Sequence, residues 1–474
     1  VTTPGSASRS RQSATAPPWV ILLVLALSTF TIVVMQTMVM PIMAAQAESL
    51  DVSMADISWI VTVNLLSAAV FTPVLGSLGD LMGRKRVLLI TLGSVTTGSV
   101  LVAMAPTFAL VLVGRVLQGM GFAAMPLAVG IVRSIFPADH VPSGLSLLSA
   151  LTGIGAGAGL LIAGFLSEWG VSTQSMFLIA AAGTAIGMLG VAVLVRLPER
   201  AQGFHVDVGG MLTLGGGLAC LVLAINRGPR WGWTSPTVLG LFVAGLVLLV
   251  ACYYVEQRVS RPLLDIATMR RPVVLGTNLT AFLVGAGMYG AFILVIQFVQ
   301  TPSRLGYGFD ADALSAGLTL LPLTAGTLAA SMTVSLLIRR IGPKWPLCTG
   351  TMVAAATFGF LLAFHTEHWH FFVATGLLGL GLGLAMGAMP TLLNSGVEPS
   401  QTSVANGINQ TLRSVGGSIG TAVATAILAV NTMPDVGLPT LDAYPVSFAV
   451  SGAICLVAIA AAVAIPYRHP PEPA

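Results

Sequence analysis

Charge is scarce in this chain. Of its 474 residues only 8% are Asp, Glu, Lys or Arg, while 55% are hydrophobic. A soluble protein carries about 25% charged residues, so the composition excludes an ordinary water-exposed surface and points to an integral membrane protein. The net charge of +4 says little beside how the charges are placed. Lysine is almost missing: Lys85 and Lys344 are the two lysines among 21 cations, and with abundant Gly, Ala and Val this bias suggests a GC-rich bacterial genome. Four cysteines (Cys220, Cys252, Cys348, Cys455) lie inside apolar runs without metal-type spacing, which indicates neither a disulfide framework nor a zinc or other metal site. The 17 carboxylates fall on loops or at the ends of apolar runs, and the six histidines (His140, His205, His365, His368, His370, His469) are peripheral too. A membrane-embedded enzyme needs converging His, Asp or Glu, so the deep segments offer no catalytic residue, and no cofactor or nucleic-acid partner is expected.

What the chain does have is long apolar runs. Fourteen can be read, at 19–43, 57–78, 87–104, 108–132, 143–166, 175–194, 208–225, 236–255, 273–299, 313–338, 345–364, 370–393, 404–430 and 444–465. About 20 residues cross a bilayer as a helix, so the expected fold is all-α and polytopic, with fourteen transmembrane helices. The run 19–43 is too long for the core of a cleaved signal peptide and should remain as the first span. An even count puts both termini on one side. With the amino terminus assigned to the cytoplasm, 16 cations fall in inner segments and three, Arg227, Arg230 and Arg304, in outer ones. Inner loops accumulate Lys and Arg, so the expected location is a bacterial plasma membrane, crossed many times, with both termini cytoplasmic.

The densest charge cluster is the turn between the second and third spans, Gly76-Ser77-Leu78-Gly79-Asp80-Leu81-Met82-Gly83-Arg84-Lys85-Arg86. Gly79 and Gly83 suit a tight turn. Asp80 could accept from the free N–H groups of a helix start or pair with an arginine. On spacing alone the stretch is equally a basic inner loop such as any multi-span protein carries.

The chain also repeats itself. Ala124-Met125-Pro126 returns as Ala388-Met389-Pro390, Gly144, Gly153 and Gly157 are matched by Gly407, Gly416 and Gly420, and Gly83-Arg84-Lys85 has an echo in Gly342-Pro343-Lys344. Three matches in one order at nearly one offset favour duplication. The expected organisation is a polar tail 1–18, a six-helix half 19–200, two inserted helices 201–262, a second six-helix half 263–466 and a tail 467–474.

Within the fourth span, Leu112-x-x-Arg115-x-x-Gln118-Gly119-x-Gly121 puts Arg115 and Gln118 on one helix face. An arginine at that depth costs at least about 3 kcal/mol unless it meets a polar cavity or a partner; a structural arginine satisfied by carbonyls is the alternative. The fifth span carries Gly153, Gly155, Gly157, Gly159 and Gly164, a face on which helices can approach closely, whether for static packing or for a moving gate.

These landmarks together resemble the major facilitator superfamily. The loop 76–86 resembles its signature between spans 2 and 3, and 112–121 resembles its fourth-span motif, in which the arginine is linked to proton coupling. Trp59-Ile60-Val61-Thr62, Trp231-Gly232-Trp233-Thr234, the stretch 306–322 and Asn409-Gln410-Thr411-x-Arg413-x-x-Gly416-Gly417 resemble the 14-span drug:proton antiporter branch, so the likeness covers nearly the whole chain. It implies two six-helix halves rocking around a midplane site, and export of a bulky hydrophobic small molecule such as a drug or antibiotic. The gating and coupling positions carried by the motifs are Gly76, Asp80, Gly83, Arg84, Arg115, Gln118, Gly119, Gly153, Gly157 and Arg413. The departures bear on coupling. The acid usual in the first span is replaced by Ile32 and the asparagine after it by Thr37, Leu81 stands where a cation is common, and the fifth-span motif reads Leu160 and Ala163 for a proline and a glycine. Only Arg115 and Arg413 are deep charges, and arginine does not titrate usefully. Coupling through an interfacial acid (Asp56, Glu168, Asp310, Asp312 or Glu367 outside, Asp80 or Glu256 inside), protons carried on the substrate, and no coupling all remain open.

A cavity between the halves should be lined by apolar, Met and aromatic side chains with a few amides: Met35, Gln36, Asn64, Gln118, Asn278, Tyr289, Gln297, Asn406, Asn409 and Gln410. Each singly also fits a satisfied interhelical hydrogen bond. As a set they suit a bulky, mostly hydrophobic, neutral or anionic solute. The expected partners are that substrate, membrane lipid and, if coupled, protons, around a monomer. An uncoupled facilitator, an uptake carrier, and an exporter of an endogenous lipid or metabolite share these features. A transporter-like sensor would need a cytoplasmic output region, and the short inner loops supply none.

Overall fold

The computed structural model describes residues 16–137, 139–196, 207–259, 265–433 and 438–467. Arg9, Arg11, Arg200, Arg261, Arg468, His205, His469, the expected boundaries at 200/201 and 262/263 and the tail from 468 lie outside the described residues, as do the side chains of Pro41 and Leu160.

Among the described residues, fourteen helices are long and apolar enough to cross a membrane: Pro18–Thr37, Trp59–Met82, Arg84–Met104, Phe108–Ile135, Val141–Glu168, Thr173–Leu194, Val208–Trp231, Pro236–Glu256, Pro272–Gln300, Ser315–Ile341, Lys344–Ala363, His368–Ser395, Pro399–Val430 and Ala443–Ala464. They are the first to fourteenth spans below. Inside hydrocarbon every backbone N–H and C=O must be satisfied within the segment, and a helix achieves this. Among the described residues the only extended pairing is an isolated bridge between Thr432 and Pro439.

Three spans are less continuous than expected from hydropathy. The first ends at Thr37, and a separate helix, Val39–Ser49, follows it. The fourth contains a 3₁₀ turn, Met120–Ala123. The tenth breaks at Leu320, between Ala313–Thr319 and Leu321–Ile341. The reason is shared. Pro41, Pro126 and Pro322 have no N–H to return to the carbonyl four residues back, so the helix tightens or stops just before each of them.

The two halves repeat one packing scheme. In the first, span 1 packs on spans 5 and 6, span 3 on 4 and 6, and span 2 on 4; in the second, span 9 packs on 13 and 14, span 11 on 12 and 14, and span 10 on 12. Gly83 and Gly342 end the second and tenth spans at φ 103° and 82°, a conformation that favours glycine. The two lysines also do one job twice. Lys85 donates to the Ala192 carbonyl at 2.8 Å and Lys344 to the Ile465 carbonyl at 2.8 Å, so each neutralises the negative end of the last helix of its half. Lys85→Ala and Lys344→Ala should each cost about 0.3–1 kcal/mol, seen as a small fall in the thermal midpoint of the purified protein with insertion unchanged.

The matched glycines, by contrast, do not share partners. Gly416 and Gly420 touch span 9 of their own half, whereas Gly153 and Gly157 touch Thr327 and Thr324 of span 10 in the other half. Gly155 and Gly159, which face span 1, are the counterparts in packing. A shift of two residues turns a helix by about 200° and so exchanges its faces.

Buried apolar side chains sort into two large clusters, one from residues 16–195 and one from 281–465. A third joins the inserted helices to both halves: Leu214, Leu218, Val222 and Ile225 of span 7 meet Ala69 of span 2 and Val415 and Ala422 of span 13. The inserted pair therefore lies over the seam between spans 2 and 13, with span 7 inside and span 8 turned outward.

Candidate functional site

At the end of the bundle that carries Arg84, the basic end, the halves are tied by hydrogen bonds. Asp80 Oδ2 accepts from the backbone N–H of Ser403 at 2.9 Å and of Val404 at 3.0 Å. These amides belong to the first turn of Thr402–Val430, where helical N–H groups lack intrahelical partners. Asp80 Oδ1 takes Arg84 Nε at 2.9 Å. Both alternatives read from the sequence, a helix start and an arginine, are thus used by one carboxylate. Arg84 spans the same junction: it donates to Ser403 Oγ at 3.0 Å in the second half and to the Gly130 carbonyl at 2.8 Å and Ser134 Oγ at 2.7 Å in its own. Gly76 makes the contact possible, since a Cβ there would stand 2.8 Å from the Ser403 carbonyl oxygen.

Arg133 was missed by motif reading and is as central. Its guanidinium donates to Thr402 Oγ1 at 2.7 Å and to the carbonyls of Asn394 and Val397 at 2.9 and 3.0 Å. The signal available was a lone cation in the last turn of span 4, where positive charge meets the helix dipole. At the other seam Arg339 donates to Ser143 Oγ at 3.1 Å and contacts His140 Nδ1 at 3.3 Å. Arg133→Lys keeps the charge but not the planar fork that serves three acceptors. Transport by that variant, assayed at equal membrane abundance, should fall several-fold.

Arg115 lies away from this junction. It is 2% exposed, donates from Nε to the Ile60 carbonyl at 2.9 Å and from a terminal nitrogen to Gln118 Oε1 at 2.7 Å. Gln118 passes the chain to Ser99 Oγ at 3.0 Å, and Ser99 to Met35 Sδ at 3.0 Å. Asn64 donates to the Arg115 carbonyl at 3.1 Å, and a Cβ at Gly119 would meet the Asn64 carbonyl at 2.5 Å. So Arg115, Gln118, Gly119, Asn64 and Met35 form one network among spans 1 to 4, inside the first half. Met35, Asn64 and Gln118, expected on a cavity between the halves, are engaged here by hydrogen bonds within their own half, around Arg115.

Two small pockets lie between the halves. One is bounded by Leu65, Ala68 and Thr72 of span 2, Phe122, Val222 of span 7, and Gln410 and Ser414. The other is bounded by Met125, Pro126 and Val129 of span 4, Ser149 and Thr152 of span 5, Met386 and Pro390 of span 12, and Asn406, Asn409, Gln410 and Arg413 of span 13. Of the residues expected to line a cavity, Asn406, Asn409 and Gln410 are there. Asn278 reaches it only indirectly, accepting from Asn409 Nδ2 at 3.0 Å. Tyr289 packs its ring on Phe292 at 5.9 Å. Gln36 and Gln297 are half-buried and border neither pocket.

Of the interfacial acids, Asp310 and Asp312 are held for structure. Hydrogen bonds from the Ser303 hydroxyl and N–H keep the Asp310 carboxyl below the usual carboxylate range, and the Ser315 N–H does so for Asp312. A depressed pKa keeps a carboxylate ionised down to more acidic pH, so neither group would exchange a proton near neutrality.

The family model of the Major Facilitator Superfamily matches residues 25–421 and 277–474. The chain belongs to that superfamily. It is 29% identical over 432 residues to the tetracenomycin C resistance and export protein of Streptomyces glaucescens, covering 90% of this chain and 78% of the other. It is 27% identical to the puromycin resistance protein pur8 of Streptomyces alboniger, over 80% of this chain and 75% of the other, and 27% identical to a multidrug transporter protein of Bacillus subtilis, over 82% and 72%. Among solved structures, that of the human organic anion transporter MFSD10 superposes with a TM-score of 0.70 at 15% identity, covering 94% of this chain and 100% of that one; at that identity the likeness is one of fold. This superfamily chain is a transporter rather than an enzyme.

Proposed function

We propose that the protein exports bulky hydrophobic small molecules from a bacterial cell by alternating access. The observation that carries the reading is the likeness, over nearly the whole chain, to relatives named for antibiotic resistance and export. The basic end is assigned to the cytoplasm because inner loops accumulate Lys and Arg. The Asp80–Arg84–Arg133 junction is then a latch that holds the inner ends together while the pocket opens outward. Spans 5 and 10, packed through Gly153 and Gly157, and spans 2 and 13, packed through Gly76 and Gly407, are the surfaces on which the halves rock.

A growth-inhibition panel in a pump-deficient host tests export: expression should raise tolerance to several hydrophobic antibiotics and lower accumulation of a labelled one. Raised accumulation would make the protein an uptake carrier. Coupling has its own test. Ile32 replaces the usual first-span acid, which favours atypical coupling or none, and the inner acids Asp80 and Glu256 and the outer acids Asp56, Glu168 and Glu367 are the remaining candidates for a proton carrier. Flux in vesicles should rise with an imposed pH gradient if any of them serves; equal flux removes antiport and leaves facilitated export, whether of drugs or of an endogenous lipid or metabolite.

A further inference from the structure

The two deep arginines differ in one respect. Arg115 is satisfied within its own half by the Ile60 carbonyl and Gln118. Arg413 is 7% exposed, donates to Gln410 Oε1 through one terminal nitrogen, and leaves its buried Nε without a hydrogen-bond partner among the described residues. It is Arg413, not Arg115, that stands on the wall between the halves, in a small pocket of about 20 Å³ shared with Gln410, Asn409, Ser149, Met386 and Pro390. No Asp or Glu lines that pocket, and no ion pair to Arg413 occurs among the described residues. The residue sits 11 positions into Thr402–Val430, about 17 Å from the basic end at 1.5 Å per residue, so bulk water does not supply its counterion.

We propose that this pocket recognises an anionic group, a carboxylate or an acidic phenol, on an otherwise hydrophobic substrate, and that Arg413 is the residue that binds it. A buried cation without a protein counterion is completed by a ligand anion, and beyond the nitrogen held by Gln410 the guanidinium has further donors for it, the unpartnered Nε–H among them. Gln410 holds one terminal nitrogen and so orients the fork. Met386, Pro390 and neighbouring apolar side chains give the hydrophobic body of the substrate a surface, and their polarizable or rigid outlines tolerate different bodies. The anion, not the body, is then the shared feature of what is carried. This rests on the export reading only for direction of transport; the binding preference stands or falls separately.

The test uses the purified full-length chain in detergent with a matched pair of fluorescent probes, dansylglycine, a carboxylate, and dansylglycinamide, its neutral counterpart. Wild type should bind the carboxylate at least tenfold more tightly. Arg413→Gln should bring the two affinities to within threefold, and Arg413→Lys, which keeps the charge but loses the fork, should retain part of the preference. Size-exclusion profiles matching wild type show that the variants fold, and the lysine variant serves if the glutamine variant does not. Equal affinities in wild type, binding of neither probe, or a full preference surviving in a folded Arg413→Gln protein would each overturn the proposal. Antibiotic tolerance without the carboxylate preference leaves export standing and removes the anion site; the preference without tolerance does the reverse.

Discussion

Asp80→Asn is expected to lower export at least tenfold while the protein still inserts at normal abundance. The carboxylate serves three donors at once, two backbone amides of Ser403 and Val404 and the Arg84 guanidinium. An asparagine can offer one oxygen, and its NH₂ must then face either the amides or the arginine. Hydrogen bonds to a charged group contribute about 1.5–3 kcal/mol each, and the bonds across the junction exist only while the basic end is closed. Losing about 2 kcal/mol of that differential shifts a two-state equilibrium about thirtyfold toward the open basic end. The measurement is accessibility. With the four native cysteines replaced, a Ser149→Cys reporter in the pocket should react faster with an impermeant thiol reagent added from the basic side once Asp80 is changed. Unaltered labelling together with unaltered export would dismiss the latch.

Gly420→Val is expected to abolish accumulation of folded protein, and Gly420→Ala to destabilise it strongly. A Cβ at residue 420 would stand 1.9 Å from the Ala286 carbonyl oxygen, and one at Gly416 would stand 2.0 Å from that of Phe282. The obstructing atoms are backbone, so no rotamer change relieves the clash and spans 9 and 13 must move apart along their length. Overpacking a core with methylenes costs about 1–3 kcal/mol where side chains can yield, and here they cannot. Gly164, a member of the same glycine-rich pattern in span 5, has nothing within 4 Å of its Cβ position. Gly164→Ala should therefore be silent in abundance, thermal midpoint and export. Equal behaviour of the alanine variants at 420 and 164 would refute the packing argument.

That contrast shows how far the sequence could be read. Glycine content marked span 5 as a close-packing helix, yet only the fold separates Gly153 and Gly157, against the other half, from Gly155 and Gly159, against span 1, and from Gly164, against nothing. The turn 76–86 was legible because its charges stand out in an apolar chain. Its partner was not, because Ser403 and Val404 act through main-chain N–H groups that every residue possesses. Arg133 escaped for a related reason: its acceptors at Asn394 and Val397 are carbonyls 261 and 264 residues away.

Hydropathy and the placement of charge were enough, unaided, for the number of spans, and short motifs pointed to the duplication and the superfamily. Crossing a bilayer leaves a helix no other way to satisfy its backbone, and so the apolar runs are the fold. Which arginine is closed in and which is open was decided by tertiary structure alone. Arg115 and Arg413 each have a glutamine three residues away on the same face, and in sequence they are alike. Packing brings the Ile60 carbonyl to the Nε of one and leaves the Nε of the other buried without a hydrogen-bond partner among the described residues, in a side chain that borders the pocket between the halves.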